Sequence, residues 1–218
     1  GIKIHSNNQK SYLDFRGFST LVSRHIVRSD FIVFSDTSTK DQNTIIYNGD
    51  EVLTQANKNL GNRFIYGICL DGKLSLNSFI KLYGGVNFTS SDKNSDYGPM
   101  PSIAPFFGTF TFSSQYRKWS NFLIWKFSGS KKPRDYSWGG EDGLNETPII
   151  APNEPLEIDQ FYGIPSWNIF SLLNQYYLKE NIRLTFGLNN IFDIHYRTFA
   201  SGISSEGRSF QLGVKVKF

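Results

Sequence analysis

The sequence predicts an all-β protein, an antiparallel β-barrel of the membrane-spanning type. Three observations carry this reading. Apolar residues recur at alternate positions through most of the chain, the connections between these runs alternate between short and long, and aromatic residues gather near the ends of the runs.

The runs are taken in chain order. A first, less regular strand is expected near Tyr12 to Arg28. From Phe64 to Leu76, residues Phe64, Tyr66, Ile68, Leu70, Leu74 and Leu76 share one face, with Cys69, Asp71, Lys73 and Ser75 on the other. Such period-2 alternation places the two sets on opposite faces of a strand. From Phe79 to Thr89, Ile80, Leu82, Val86 and Phe88 oppose Lys81, Tyr83, Asn87 and Thr89. Phe106, Phe110, Phe112 and Tyr116 then oppose Thr109, Thr111, Ser113 and Gln115. From Asn121 to Gly129 the apolar face is Leu123, Trp125 and Phe127, blurred by Phe122 and Ile124. Around Trp167 to Tyr177 it is Phe170, Leu172 and Tyr176, blurred by Ile169 and Leu173. Ile182, Leu184, Phe186 and Leu188 alternate cleanly, and Phe210, Leu212, Val214, Val216 and Phe218 most sharply of all. About eight strands are expected.

Alternation alone does not say whether the apolar face meets a core or lipid, since a soluble sandwich gives the same pattern inverted. The connections separate the two. Tight turns are expected at Asn77-Ser78, Arg117-Lys118 and Leu178 to Asn181, and long polar loops at about 29–60, 90–102, 130–164 and 190–207. Short turns on one side and long loops on the other are the habit of membrane barrels. Structureless loops of this length are uncommon in a compact soluble domain. Tyr116, Trp119, Tyr176, Tyr177 and Phe218 flank the short-turn end, while Phe106, Trp125 and Trp167 lie toward the other. Two belts of amphipathic rings are expected at the two membrane interfaces.

Composition narrows function. No apolar stretch is long enough for a membrane-spanning helix. The net charge is +4, but the basic residues are scattered and the densest cluster, Lys131-Lys132-Pro133-Arg134, is short, so no nucleic-acid partner is expected. The single cysteine, Cys69, excludes an intrachain disulfide. His5, His25 and His195 show no metal-ligand spacing, Gly139-Gly140 does not form a phosphate loop, and no nucleophile elbow is present. The chain is expected to have no catalytic residues, no metal and no cofactor.

The last strand resembles the assembly signal of bacterial outer-membrane proteins, with Gln211, Gly213, Val216 and the terminal aromatic Phe218 at the matching positions. More specifically, Gly207-Arg208 followed by the strand to Phe218 resembles the C-terminal signature of TonB-dependent receptors. Asn190-Ile191-Phe192-Asp193-Ile194-His195-Tyr196 is similar to their "N-[LI]-F-D-x-x-Y" element, with His195 at a variable position. Tyr196-Arg197 with Ala200 to Ile203 resembles the loop joining the last two strands in Bacteroidota members. Pro101 through Gly108 resembles an "IPP-x-xG" lead-in, with Ala104 where proline is usual. Gly163-Ile164-Pro165-Ser166-Trp167 and the stretch from Gln55 to Gly67 match two further elements, so the ordered set covers roughly residues 55–218.

The resemblance implies a barrel of about 22 strands, of which residues 1–218 are the C-terminal portion, with an N-terminal plug on residues outside this chain. It implies import across the outer membrane of a large, scarce nutrient: an iron–siderophore, haem, cobalamin or glycan. The partners it implies are TonB, reached through the plug, the barrel assembly machinery, and outer-membrane lipid and lipopolysaccharide; some Bacteroidota members also carry a lipoprotein over the extracellular mouth, a partner the sequence leaves open. Ligand contacts are expected in the longest loop, at Arg134, Tyr136 and Trp138. The rival is a small passive porin or structural barrel closed by the eight strands alone.

Overall fold

The computed structural model describes residues 1–30, 44–59, 61–92, 98–150 and 160–218. The parts of the expected loops at 31–43, 60, 93–97 and 151–159 lie outside the described residues. Thirteen strands are present among the described residues: β1 (Ile2–His5), β2 (Tyr12–Val22), β3 (Ile26–Asp30), β4 (Thr44–Tyr47), β5 (Asp50–Leu53), β6 (Gln55–Asn59), β7 (Arg63–Ser75), β8 (Ile80–Ser91), β9 (Phe107–Tyr116), β10 (Trp119–Ser128), β11 (Trp167–Lys179), β12 (Ile182–Asn189) and β13 (Ser209–Val216). Nine of them form one antiparallel sheet in the order β1-β2-β7-β8-β9-β10-β11-β12-β13. β3 pairs with β6, and β4 with β5, in two separate hairpin-like sheets.

Two expectations are corrected. The main sheet has nine strands rather than eight, the ninth being the short β1, whose four residues are too few for alternation to show. The expected first strand also ends at Val22. Arg24 turns the chain through a left-handed φ of 53°, and β3 then leaves the main sheet to pair with β6. The region expected as a polar loop at 29–60 therefore carries strands of its own.

The connection rhythm is as the sequence predicts. β7–β8, β9–β10 and β11–β12 are joined by tight turns at one end, and the β1–β2 turn lies at that end too. Arg117, with φ 51°, takes the left-handed position of the two-residue Arg117-Lys118 turn. The long connections all leave from the opposite end.

Directly paired residues of an antiparallel ladder lie on the same face. One row runs Phe112–Leu123–Leu172–Leu188–Phe210, and the next Phe110–Trp125–Phe170. The same face carries Leu70, Ile68 and Phe64 of β7 with Val86 and Phe88 of β8. Its residues are exposed or half-exposed, reaching 80% at Phe210. A soluble sandwich would cover such a face with a second sheet, and among the described residues nothing covers it. A contiguous exposed apolar face this large is foreign to soluble monomers. The other face carries Asp14, Arg16, Asp71, Lys73, Thr109, Gln175, Arg183 and Lys215.

Phe122 pairs with Leu173 on this polar face, near Ile124 and the buried Ile169. The residues that blur the alternation are thus an apolar island in the polar face, not a change of register.

Aromatic rings gather in two bands on the apolar face. At the short-turn end Tyr116, Trp119 and Tyr176 form one row, with the Trp119 and Tyr176 rings 4.7 Å apart. Toward the long-loop end Phe106, Phe110, Trp125, Phe127, Phe170 and Phe192 form a continuous chain of ring contacts. Two rings assigned to the belts from sequence lie elsewhere. Trp167 and Tyr177 are in register with the polar face, where Trp167 packs on Tyr196 at 4.7 Å. Beside the short-turn band, Asn174 Nδ2 donates to Asn121 Oδ1 (3.1 Å) and Asn121 Nδ2 donates to Ser114 Oγ (3.3 Å). Pairing these groups across three strands lowers the cost of holding them on an apolar face.

Candidate functional site

The loops at the long-connection end are knitted together by two buried cations. Arg63, at the start of β7, is 1% exposed. Its Nε donates to Asp92 Oδ1 (3.2 Å), and its Nη2 donates to the carbonyls of Asp92 (3.0 Å) and Gly98 (3.1 Å). The Phe64 N–H also donates to Asp92 Oδ1, at 2.9 Å. Burial pushes the Asp92 carboxyl up, but the Phe64 amide and the Arg63 guanidinium outweigh it and leave its pKa below the usual aspartate value.

A depressed folded pKa means stabilisation that is complete above the ordinary aspartate range and lost as pH falls through the folded value. The Phe64 amide is therefore expected to stay protected from hydrogen exchange at about pH 5 and to lose protection only well below about pH 4. Loss of protection already at the higher pH would contradict the anchor.

The second cation is Lys131. Its Nζ donates to Asp142 Oδ2 (2.9 Å) and to the Ile103 carbonyl (2.8 Å), while Asp142 Oδ1 accepts from the Ser102 N–H (2.7 Å). Lys131 also lies over the Phe199 ring, 4.0 Å from its centroid. This one pair thus ties together the segment before β9, the β10–β11 loop and the β12–β13 loop. Burial lowers the Lys131 pKa, and the Asp142 carboxylate opposes the shift. The backbone supports the same closure. Lys131 and Ile164 form an antiparallel bridge, and Arg197 Nη1 donates to the Glu146 carbonyl (2.7 Å). Asn190 Nδ2 donates to the carbonyls of Ile194 (2.9 Å) and Glu206 (3.3 Å), which folds the last loop on itself.

The three residues expected to contact ligand part company. Tyr136 is fully buried, with its ring edge-on to Phe199, and burial pushes its phenol up to about 12. It is an anchor of the closed loop and reaches a ligand only if that loop opens. Arg134 is exposed on the short 3-10 turn Pro133–Asp135. Trp138 is 59% exposed and lies flat over Gly98, where a Cβ would stand 2.6 Å from the indole. Gly98 is in the left-handed region, φ 67°, so both its backbone and its missing side chain make the seat for this ring. Trp138 is thereby an aromatic platform with one free side.

The last loop also roofs part of the polar face. A largely polar cavity of about 530 Å³ lies between Lys126, Ser171 and Asn189 of the sheet and Tyr196, Ser204 and Glu206 of the loop. Among the described residues no group of three His, Cys, Asp or Glu side chains is placed to hold a metal.

The assembly-signal residues lie on the edge strand β13 or just past it. Gln211 and Gly213 pair with Gly187 and Thr185 on the polar face, and Val216 pairs with Ile182 on the apolar one. Phe218 lies beyond the strand at the short-turn end, fully exposed.

The residues that sequence reasoning missed are Lys131 and Asp142, and Arg63 and Asp92. Lys131 stood in the densest basic cluster and Asp142 in an acidic pair, yet nothing in the sequence says that a pair eleven positions apart meets inside a loop.

No protein-family model matches the chain, and no curated protein matches it significantly. Solved structures do. The copper transporter OprC aligns with 99% of this chain and 31% of its own, at 17% identity and a TM-score of 0.69. The siderophore receptor PirA from Acinetobacter baumannii aligns with 99% and 30%, at 14% identity and a TM-score of 0.68. A mutant of the ferric enterobactin receptor PfeA from Pseudomonas aeruginosa aligns with 99% and 30%, at 17% identity and a TM-score of 0.67. The chain thus spans about three tenths of the length of the structures it matches, and its fold is that of one section of these transporters and receptors.

Proposed function

We propose that residues 1–218 are the C-terminal wall section of a TonB-dependent outer-membrane receptor that imports a large nutrient, such as an iron–siderophore, haem, cobalamin or a glycan. One observation carries the reading: a nine-stranded sheet with an exposed apolar face, in which no pairing joins β13 back to β1 among the described residues. An antiparallel barrel closed by these strands alone would also need an even number, as bacterial single-chain barrels have. Both edges therefore call for further strands, which speaks against the small closed barrel. The short turns then face the periplasm and the knitted loops the exterior. The work of such a section is binding and positioning, without covalent chemistry.

In this reading TonB acts through a plug carried by other residues. The barrel assembly machinery handles the β13 edge, with lipid and lipopolysaccharide around the wall and a lipoprotein over the mouth. Arg134 and Trp138 present a cation and a flat ring to the ligand, suited to an anionic chelate, a sugar or a macrocycle. Trp138→Ala is expected to weaken uptake about tenfold or more, since a platform aromatic is the kind of residue whose truncation dominates binding. Unchanged uptake would remove Trp138 from the site. Phe218→Ala is expected to lower the amount of assembled receptor in the outer membrane, without changing affinity per assembled molecule. Equal assembly would remove Phe218 from the signal.

The reading is tested by the full-length protein purified from outer membranes. Heat-modifiable migration, with density showing new strands on β1 and β13 and a folded domain in the lumen, is the expected result. A soluble protein, or β13 paired to β1, contradicts it.

A further inference from the structure

One cross-strand row on the apolar face runs Ile4–Leu13–Gly72–Gly84–Phe110, from β1 to β9. The two glycines are neighbours at its centre, so the row that elsewhere carries branched and aromatic side chains is here bare backbone. Phe110 lies back over Gly84, where a Cβ would stand 2.3 Å from its ring. At Gly72 the space stays open, the nearest atoms to a Cβ being Leu13 Cδ1 and the Tyr12 carbonyl at 3.4 Å.

Leu70 and Val86 form one wall and Leu74 and Leu82 the other, giving an almost wholly apolar groove of about 530 Å³. Its short-turn end is different in kind, being lined by His5, Ser6 and Ser11. There the Ser11 hydroxyl accepts from the Ser75 N–H (2.9 Å) and keeps its own proton to donate. Next to it Lys10 stands exposed on the β1–β2 turn, its carbonyl held by Ser75 Oγ at 2.8 Å.

We propose that this groove is a binding site for one phospholipid of the periplasmic leaflet, an acyl chain lying over Gly72 and the phosphate meeting Lys10 and the Ser11 hydroxyl. The inference rests on the membrane-wall reading above, which places this face against hydrocarbon and the short turns at the periplasmic surface. The match is one of chemistry: an apolar trough, hydroxyls at its short-turn end, and a cation on the adjoining turn. A bulk lipid surface needs only the first of these. A missing side chain on a lipid-facing strand leaves dispersion contacts unmade unless something fills the gap, and an acyl chain is the filler at hand.

The test is native mass spectrometry of the full-length receptor released from bilayer discs of phosphatidylethanolamine and phosphatidylglycerol. The wild type is expected to retain one phospholipid per barrel. Gly72→Val fills the open floor and is expected to cut that occupancy at least tenfold, and Lys10→Glu to cut it severalfold. Leu172→Ala, on the same face but outside the groove, is expected to leave it unchanged. Heat-modifiable migration of each variant reports that the barrel has formed. Equal retention by wild type and Gly72→Val, or lipid A as the retained species, overturns the site while leaving the barrel intact. Failure to enter the bilayer at all would overturn the barrel reading instead.

Discussion

Removing the Asp142 carboxylate is expected to open the loop cluster at the long-connection end at a cost of about 3–5 kcal/mol, the penalty for leaving a buried charge without its partner. Asp142 and Lys131 are both buried, at 1% and 5% side-chain exposure, and each also satisfies a group from the segment before β9. Asp142→Ala strands the Lys131 ammonium beneath Tyr136 and Phe199 and frees the Ser102 amide. The measurement is limited proteolysis of the β10–β11 loop, where the variant is expected to be cut far faster than the wild type while the strands stay resistant.

The intact pair is worth much less than its rupture suggests, because desolvation offsets most of its attraction. The double variant Lys131→Met, Asp142→Leu is therefore expected to recover much of the protection lost by Asp142→Ala. Equal cleavage of wild type and Asp142→Ala would show that the loops close without this anchor.

An arginine at Leu123 is expected to destabilise the membrane-inserted protein by about 2–4 kcal/mol, the range for a cation near the midplane of a barrel's lipid face. Leu123 sits between Phe112 and Leu172 in the middle of the apolar face. Thr111, on the next rung of the ladder and so on the opposite face, pairs with Ile124 and Tyr83. Thr111→Arg is expected to cost far less, because its guanidinium stays in the polar interior. Equilibrium unfolding from lipid vesicles measures both. Equal costs at the two positions would mean that the faces are misassigned.

Much of this was legible in the sequence, for physical reasons that vary by element. The β13 alternation from Phe210 to Val216 could be read directly because each strand residue falls on either the apolar or the polar face with nothing in between. β1 could not, since Ile2 and Ile4 are too few to define a period. The Arg24 break and the β3–β6 pairing stayed hidden because the strand-like sequence from Tyr12 to Arg28 continues through the turn while its hydrogen-bond partner changes.

At the site, residue type announced Arg134 and Trp138 as contact chemistry, and both are exposed. It announced Tyr136 equally well, yet Tyr136 packs inside the loop. An aromatic ring in a long loop serves as readily to hold the loop as to hold a ligand, and only the placement of Lys131 and Phe199 around it distinguishes the two. Trp167 makes the same point in the sheet. Its position at a strand end suggested a belt, while its register turns it to the polar face against Tyr196.

One face of this sheet is expected to meet lipid and the other a polar lumen, and a spin-label scan along β10 reads the two apart. In a full-length protein carrying Cys69→Ser, single cysteines placed in turn from Trp119 to Ser128 are labelled and the receptor is returned to bilayers. Strict alternation is expected. Labels at 121, 123, 125 and 127 are relaxed by oxygen dissolved in the hydrocarbon, and those at 120, 122, 124 and 126 are shielded from it. Alternation of the opposite phase, or uniform accessibility along the strand, would mean that the apolar face of β10 does not meet lipid.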